Sequence, residues 1–211
     1  MCGRFHNHVK AMHEWVEVLG DWPGEAELSY NVSPTQIIPI VVEGAAVAAR
    51  WGLVPAWEKN FATKYPTHNA RLETAREKPS FRSAWKHSRT CLVPTAGFYE
   101  WRKEGPIKQP YFINKSDDML VFAGLWGMWN DRVSFTILTT EASGVVARLH
   151  HRMPVMLNPQ DAKEWLESGT AKPDILQHLG VCQSIRFFPV STRVNNARSD
   201  GAELVEAMPA D

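Results

Sequence analysis

Apolar and polar positions follow two different periods along this chain. Between Val9 and Leu19, the side chains of Val9, Met12, Trp15, Val16 and Leu19 recur at three- and four-residue intervals with acids on the other face. That spacing predicts a first amphipathic helix, ended by Gly20 and Pro23. From Gln36 onward the pattern changes to short β-type runs. Gln36–Val42 and Ala45–Trp51 flank Glu43-Gly44 and read as a hairpin. Further strands are expected at Thr90–Val93, Phe98–Arg102, Tyr111–Asn114, Leu120–Trp126, Ser134–Thr139 and Ser184–Val190, mostly separated by turn-rich polar stretches. Asn158-Pro159 supplies a cap and a first-turn proline for a helix reaching Leu166. Closely spaced strands with a few inserted helices predict an α+β fold, mainly antiparallel β-sheets forming a sandwich or partial barrel with flanking helices. No repeat, low-complexity tract or linker divides the chain, so one domain over residues 1–211 is expected, ending in a solvated acidic tail at about 199–211.

Composition narrows the picture. With 211 residues and 44% hydrophobic content, the chain can bury a core without staples. Its 23 basic and 23 acidic residues exclude the uniform positive field of a nonspecific nucleic-acid coat. An anionic partner must therefore be met locally, and the charges are segregated. Residues 14–27 carry five acids and no base, whereas residues 64–90 carry seven bases against Glu73 and Glu77. The second stretch is the natural anion-facing segment, although a solvated surface run has the same composition. No apolar run approaches the roughly 20 residues of a membrane span, and Met1-Cys2-Gly3-Arg4-Phe5 leads into histidines rather than a signal-peptide core. A cytoplasmic protein with no membrane partner is expected, and nothing demands more than a monomer. Cysteines at 2, 91 and 182 are odd in number and scattered, which argues against a disulfide framework and suits a reducing compartment.

One of those cysteines stands where chemistry is available to it. Removal of Met1 would leave Cys2 bearing both a free α-amine and a thiol, each titrating close enough to neutrality to have an appreciable reactive fraction. An amine condenses with an aldehyde to an imine, and a β-thiol on the same residue can close on the imine carbon as a five-membered thiazolidine. An exposed thiol at an arbitrary position is the simpler alternative. Glu100 lies among aromatic and small residues in Pro94–Trp101, where desolvation raises a carboxyl pKa and suits it to accept and donate protons; a strand-edge pair with Arg102 or Lys103 is equally compatible. His150 and His151 precede Arg152, pairing a proton shuttle with a guanidinium able to hold phosphate, and one of the two histidines is expected to be exposed. Asn69 and Arg71 sit together in the basic stretch. Trp51 and Trp57 bracket a short apolar segment where an exposed indole could stack on a base, while a core role suits either. Cys2, His6 and His8 bring metal donors close in sequence, but no second cluster completes a zinc spacing, so neither metal nor cofactor is expected.

Taken in order, the stretches Met1–Phe5, Arg50–Trp57, Asn69–Thr74, Arg89–Pro94 running on to Glu100-Trp101, and His150–Pro154 resemble the SRAP family. Its members are abasic-site DNA–protein cross-linking proteins, first named SOS response-associated peptidases. The likeness runs from residue 2 to about Asn195, with Pro189-Val190-Ser191 and Val194-Asn195 similar to the closing strand of the family. The resemblance implies the SRAP fold, a DNA damage-response role at abasic sites in single-stranded DNA, and a covalent thiazolidine cross-link through Cys2. It further implies that Glu100 manages protons at the amine and helps reverse the adduct. His150 would protonate the sugar ring oxygen as the ring opens, and Asn69 would orient the sugar and the Cys2 amine. Arg4, Arg71 and Arg152 would meet phosphates and Thr139 the DNA backbone, with Gly3 and Asn31 beside Cys2 and Trp57 near the strand. When DNA is bound, association with the nucleoid follows. His151 departs from the family, where an acid is common at that position.

Two other classes compete. In one, Cys2 is the nucleophile and His150 the base of a thiol peptidase or autopeptidase, the latter cutting its own first peptide bond. In the other, Trp57 and the arginines form a noncovalent single-strand-binding module. The basic stretch beside Asn69 favours DNA over a peptide substrate.

Overall fold

The structure is a computed structural model, and it describes residues 2–8, 18, 28–116, 119–167 and 184–209. The helix expected over Val9–Leu19 falls outside the described residues, apart from Val18, which is helical and buried.

In chain order the strands are β1 (Phe5–His6), β2 (Ile37–Val42), β3 (Ala45–Trp51), β4 (Asn69–Arg71), β5 (Thr90–Thr95), β6 (Gly97–Glu104), β7 (Ile107–Lys115), β8 (Leu120–Trp129), β9 (Arg132–Glu141), β10 (Arg152–Pro154), β11 (Met156–Leu157) and β12 (Ile185–Pro189). Helices α1 (Leu72–Ala75), α2 (Pro79–Lys86) and α3 (Pro159–Glu167) are set between them. The expected hairpin forms: Val42 pairs with Ala45, and Glu43 and Gly44 both take positive φ, 50° and 77°, as a two-residue turn matched to strand twist requires. The cap expected for α3 also forms, with Asn158 Oδ1 accepting from the Asp161 amide at 2.8 Å.

Among the described residues the strands make two sheets. One has four strands in the order β1-β6-β7-β12. In the other, β2 pairs with β3, β3 with β9, β9 with β8, β8 with β5, and β5 again with β2, so these five strands close on themselves as a partial barrel. Most pairings are antiparallel, as expected, but β3 and β4 both run parallel to β9. A parallel joint needs a long crossover, which the residues between β4 and β9 supply.

Both faces of the barrel strands are buried, and the side-chain period of two sorts their residues into separate cores. Leu92, Val121, Ala123, Leu125 and Leu138 pack under the helices with Phe81, Ala84 and Trp165. Their neighbours Cys91, Val93, Leu120, Phe122, Phe135 and Ile137 face the other way, with Cys2, Phe5 and Trp51. The candidate nucleophile is thus part of a core rather than a dangling end.

The chain after β12 departs from expectation. Thr192–Asn195 forms a 3-10 turn, so Val194-Asn195 does not continue a strand. The acidic tail is folded as far as it is described. Leu204 is buried with Tyr99, Phe112, Val190 and Val194, the Met208 amide donates to Pro189 O at 2.9 Å, and Glu203 pairs with Arg193 at 3.2 Å. Burial of Leu204, with Val205 packed beside it, anchors the segment despite its acids. Among the described residues, no helix is long and apolar enough to cross a membrane.

Candidate functional site

Cys2 is placed by a very short strand held on two sides. Phe5 and His6 of β1 pair with Phe98 and Gly97 of β6, while Phe5 and Val32 exchange main-chain hydrogen bonds at 3.2 and 2.8 Å. The Phe5 ring anchors this segment edge-on to Trp51, 4.9 Å between centroids. Gly97 is required at the pairing, because a Cβ there would stand 2.6 Å from Ile113 O. The Tyr99 amide donates to Arg4 O at 3.0 Å, so the antiparallel register carries residues 2 and 3 toward Glu100.

The Cys2 thiol is fully buried and donates to Arg4 O at 3.6 Å. Burial first, and the charge of Glu100 second, push it far above the usual thiol range. With Met1 in place, burial therefore favours the neutral thiol over the thiolate.

Glu100 is itself buried on β6, and desolvation raises its carboxyl above the usual carboxylate range. A surface pair with Arg102 does not form, since Arg102 is forked on Glu104 at 2.5 and 2.8 Å. Lys103 stands on the opposite face of the strand by alternation. Asn69, on β4, reaches the same place from the barrel. Its Nδ2 donates to Cys2 O at 2.7 Å, and its Oδ1 is buried with no hydrogen-bond partner among the described residues.

His150 follows the 3-10 turn Val146–Arg148, with its main-chain amide donating to Val146 O at 3.1 Å. Its ring Nδ1 meets the Arg152 main chain at two atoms, the amide at 2.9 Å and the carbonyl oxygen at 3.1 Å, and donation from the amide favours the neutral ring with its proton on Nε2. Burial, followed by nearby positive charge, lowers its pKa. His151 stacks on it at 4.3 Å and is exposed, its own pKa lowered chiefly by His150. The charge of His151 also acts on Glu100, which places the histidine pair and the carboxyl in one electrostatic neighbourhood.

The expected DNA contacts separate into two groups. Arg71 and Trp57 are exposed, while Trp51 is fully buried with its indole N–H on His68 O at 2.8 Å. Gly3 is half-buried beside Cys2. The other four each have partners within the protein. Arg4 Nη1 donates to Asn31 Oδ1 and to Val194 O, both at 2.8 Å. Asn31 is buried and donates to Asn196 O at 3.0 Å and Ser199 O at 2.8 Å, tying the first strand to the tail. Arg152 is buried and forked on Glu73, at 2.8 and 2.9 Å. Thr139 is fully buried, donating to Ala70 O at 3.3 Å. Sequence reasoning missed the place of Glu73, whose partner lies 79 residues away. His6 and His8 do not converge on Cys2; both pack on the Tyr30 ring, at 4.5 and 4.3 Å.

Comparison with known proteins identifies the family. The family described as SOS response associated peptidase (SRAP) matches residues 1–197. Abasic site processing protein YoqW of Bacillus subtilis is 36% identical, the match covering 98% of this chain and all of that protein. Abasic site processing protein YedK of Escherichia coli is 30% identical, over 98% of this chain and 99% of its own. A crystal structure of a protein from Bacteroides thetaiotaomicron superposes with a TM-score of 0.78 at 25% identity, over 97% of this chain and all of that one.

Proposed function

Because this chain belongs to the SOS response-associated peptidase family, we propose that it senses abasic sites in single-stranded DNA and bonds covalently to them through Cys2. The observation that carries this reading is the grip on Cys2: Asn69 holds its carbonyl at 2.7 Å and keeps a buried acceptor that has no hydrogen-bond partner among the described residues.

The ring-opened abasic sugar offers an aldehyde at C1′. With Met1 removed, the α-amine nitrogen of Cys2 bonds to C1′ and the resulting carbinolamine loses water to give an imine. The sulfur then bonds to the same carbon while its proton passes to nitrogen, closing the thiazolidine. Water is the only leaving group and no cofactor is consumed. Asn69 Oδ1 is the acceptor available to orient the amine. Glu100, desolvated and close enough to influence the thiol, takes a proton from the amine and returns it on reversal. His150, neutral with its proton on Nε2, hydrogen-bonds to the ring oxygen as the sugar opens, and the proton lost by the C1′ hydroxyl ends on that oxygen. Arg71 and Trp57, both exposed, are the groups free to meet a phosphate and a base.

Burial weighs against the peptidase reading, since a thiol peptidase attacks through a thiolate and burial disfavours that form. The deciding experiment mixes the purified protein with a single-stranded oligonucleotide carrying one abasic site, denatures the mixture and looks for a covalent shift. Cys2→Ala and an intact-mass check for Met1 run beside it. A stable shift that needs both Cys2 and the lesion is expected; no shift from a chain shown to lack Met1 overturns the reading.

A further inference from the structure

We propose that Glu73 is a positioning residue for His150, acting through Arg152, a role that rests on the cross-linking reading above. β9 is paired on one edge with β4 and on the other with β10, so Thr139 has Arg71 on one side and Pro154 on the other. Arg152, on β10, reaches over that strand. Its Nη2 donates to Thr139 O at 2.6 Å, and its two terminal nitrogens end on Glu73 Oε1 and Oε2 at 2.8 and 2.9 Å. Glu73 belongs to α1, which continues directly from β4 and therefore from Asn69. The fork is a clip across β9 that ties the strand carrying Asn69 to the strand that follows His150.

The clip matters because of what the Arg152 backbone does. Its amide at 2.9 Å and its carbonyl oxygen at 3.1 Å both face His150 Nδ1, so the placing of this one residue governs which ring nitrogen carries the proton, and donation from the amide favours Nε2. A bidentate guanidinium–carboxylate pair fixes both distance and plane, which a single hydrogen bond does not. The Arg152 side chain is 11% exposed, so the pair is shielded on its basic side. Hydrogen bonding from Arg152 holds the Glu73 carboxyl below the usual carboxylate range, so it stays charged at neutral pH. Glu73 thereby sets the His150 tautomer and its distance from the Asn69–Cys2 pair without touching the DNA.

The same fork gives the proposal a sharp rival. If Arg152 is a phosphate ligand, Glu73 is merely its competitor, and neutralising Glu73 should liberate a cation. Glu73→Gln and Glu73→Asp therefore separate the two. The positioning role expects cross-linking to an abasic strand to slow roughly ten- to hundredfold in Glu73→Gln, less in Glu73→Asp, which keeps the carboxylate. It also expects the nitrogen-15 resonances of His150 to shift from the Nε2–H tautomer toward a mixture. Noncovalent affinity for an intact strand of the same length should stay within about twofold. Tighter, more salt-sensitive binding by Glu73→Gln overturns the proposal in favour of the competitor role. A wild-type rate with an unchanged tautomer overturns it outright. If Glu73→Gln does not fold, Glu73→Asp decides by the same readouts. Should wild type fail to cross-link, the cross-linking reading falls, while the tautomer still reports whether the clip acts on His150.

Discussion

Asn69 and Cys2 lie 67 residues apart and meet at 2.7 Å, the amide nitrogen of one donating to the main-chain carbonyl of the other. The contact gives the amide a defined orientation, because its nitrogen must face the carbonyl and its oxygen must then face elsewhere. Asn69→Ala leaves the Cys2 carbonyl without this donor in a buried setting, a loss of roughly 1–3 kcal/mol. Urea melts should show that destabilisation. The initial cross-linking rate should fall by at least about tenfold, the equivalent of roughly 1.4 kcal/mol. A wild-type rate from a folded variant would remove Asn69 from the site.

Amine and thiol can be separated by substitution at one position. Cys2→Ala keeps the α-amine and loses the sulfur, so it should form only an imine: captured when borohydride is present, lost on denaturation without it. Wild type should survive denaturation without reductant. An equally stable adduct from Cys2→Ala would exclude the thiazolidine.

The raised carboxyl of Glu100 predicts the acid limb of the pH profile. Glu100 accepts protons only in its charged form, and burial shifts that form to higher pH, so the cross-linking rate should rise with pH through a point above the usual carboxylate range. Glu100→Gln should remove that limb and leave only the one belonging to the amine. Superimposable profiles would end the role of Glu100 as base.

His6 makes stability acid-sensitive. It is buried on β1, and burial lowers its pKa from 6.5 to about 4. A depressed folded pKa contributes stability that is fully present above the unfolded value and is lost as pH falls through the folded one, here between about 6.5 and about 4. The shift corresponds to roughly 3 kcal/mol. Chemical denaturation across that window should show the decline, and His6→Asn should flatten it. Because β1 presents Cys2, amide exchange in residues 5–6 should accelerate in parallel.

Trp57 and Arg71 should behave as contacts rather than as structure. Both are exposed, so alanine at either should shift the melting midpoint little. Trp57→Ala should cost roughly 1–3 kcal/mol of noncovalent single-strand affinity, as loss of one stacked base does. Arg71→Ala should lower the salt slope by about one. Fluorescence anisotropy at several salt concentrations measures both, and unchanged affinities would place the strand elsewhere.

Local pattern alone determined several elements of this protein. The Glu43-Gly44 turn, the Asn158 cap of α3 and the barrel strands follow from side-chain period and from φ requirements that act within a few residues. Residue chemistry likewise marked Cys2, Glu100 and His150 as candidates, because few side chains combine with aldehydes or exchange protons near neutrality, whereas the role of Asn69 came from the family resemblance. Tertiary structure decided what those groups do. No local signal shows that the Arg152 guanidinium is paired with a carboxylate 79 residues away. Nor does spacing reveal that Leu204 sinks into a core and folds an acidic tail, or that Trp51 is buried while Trp57 is not. The protonation of Cys2 belongs to the same class, since its thiol is set by burial and by the charge of Glu100. Burial and charge pairing are properties of the packed molecule, summed over segments distant in sequence, and they exist only once the barrel has closed.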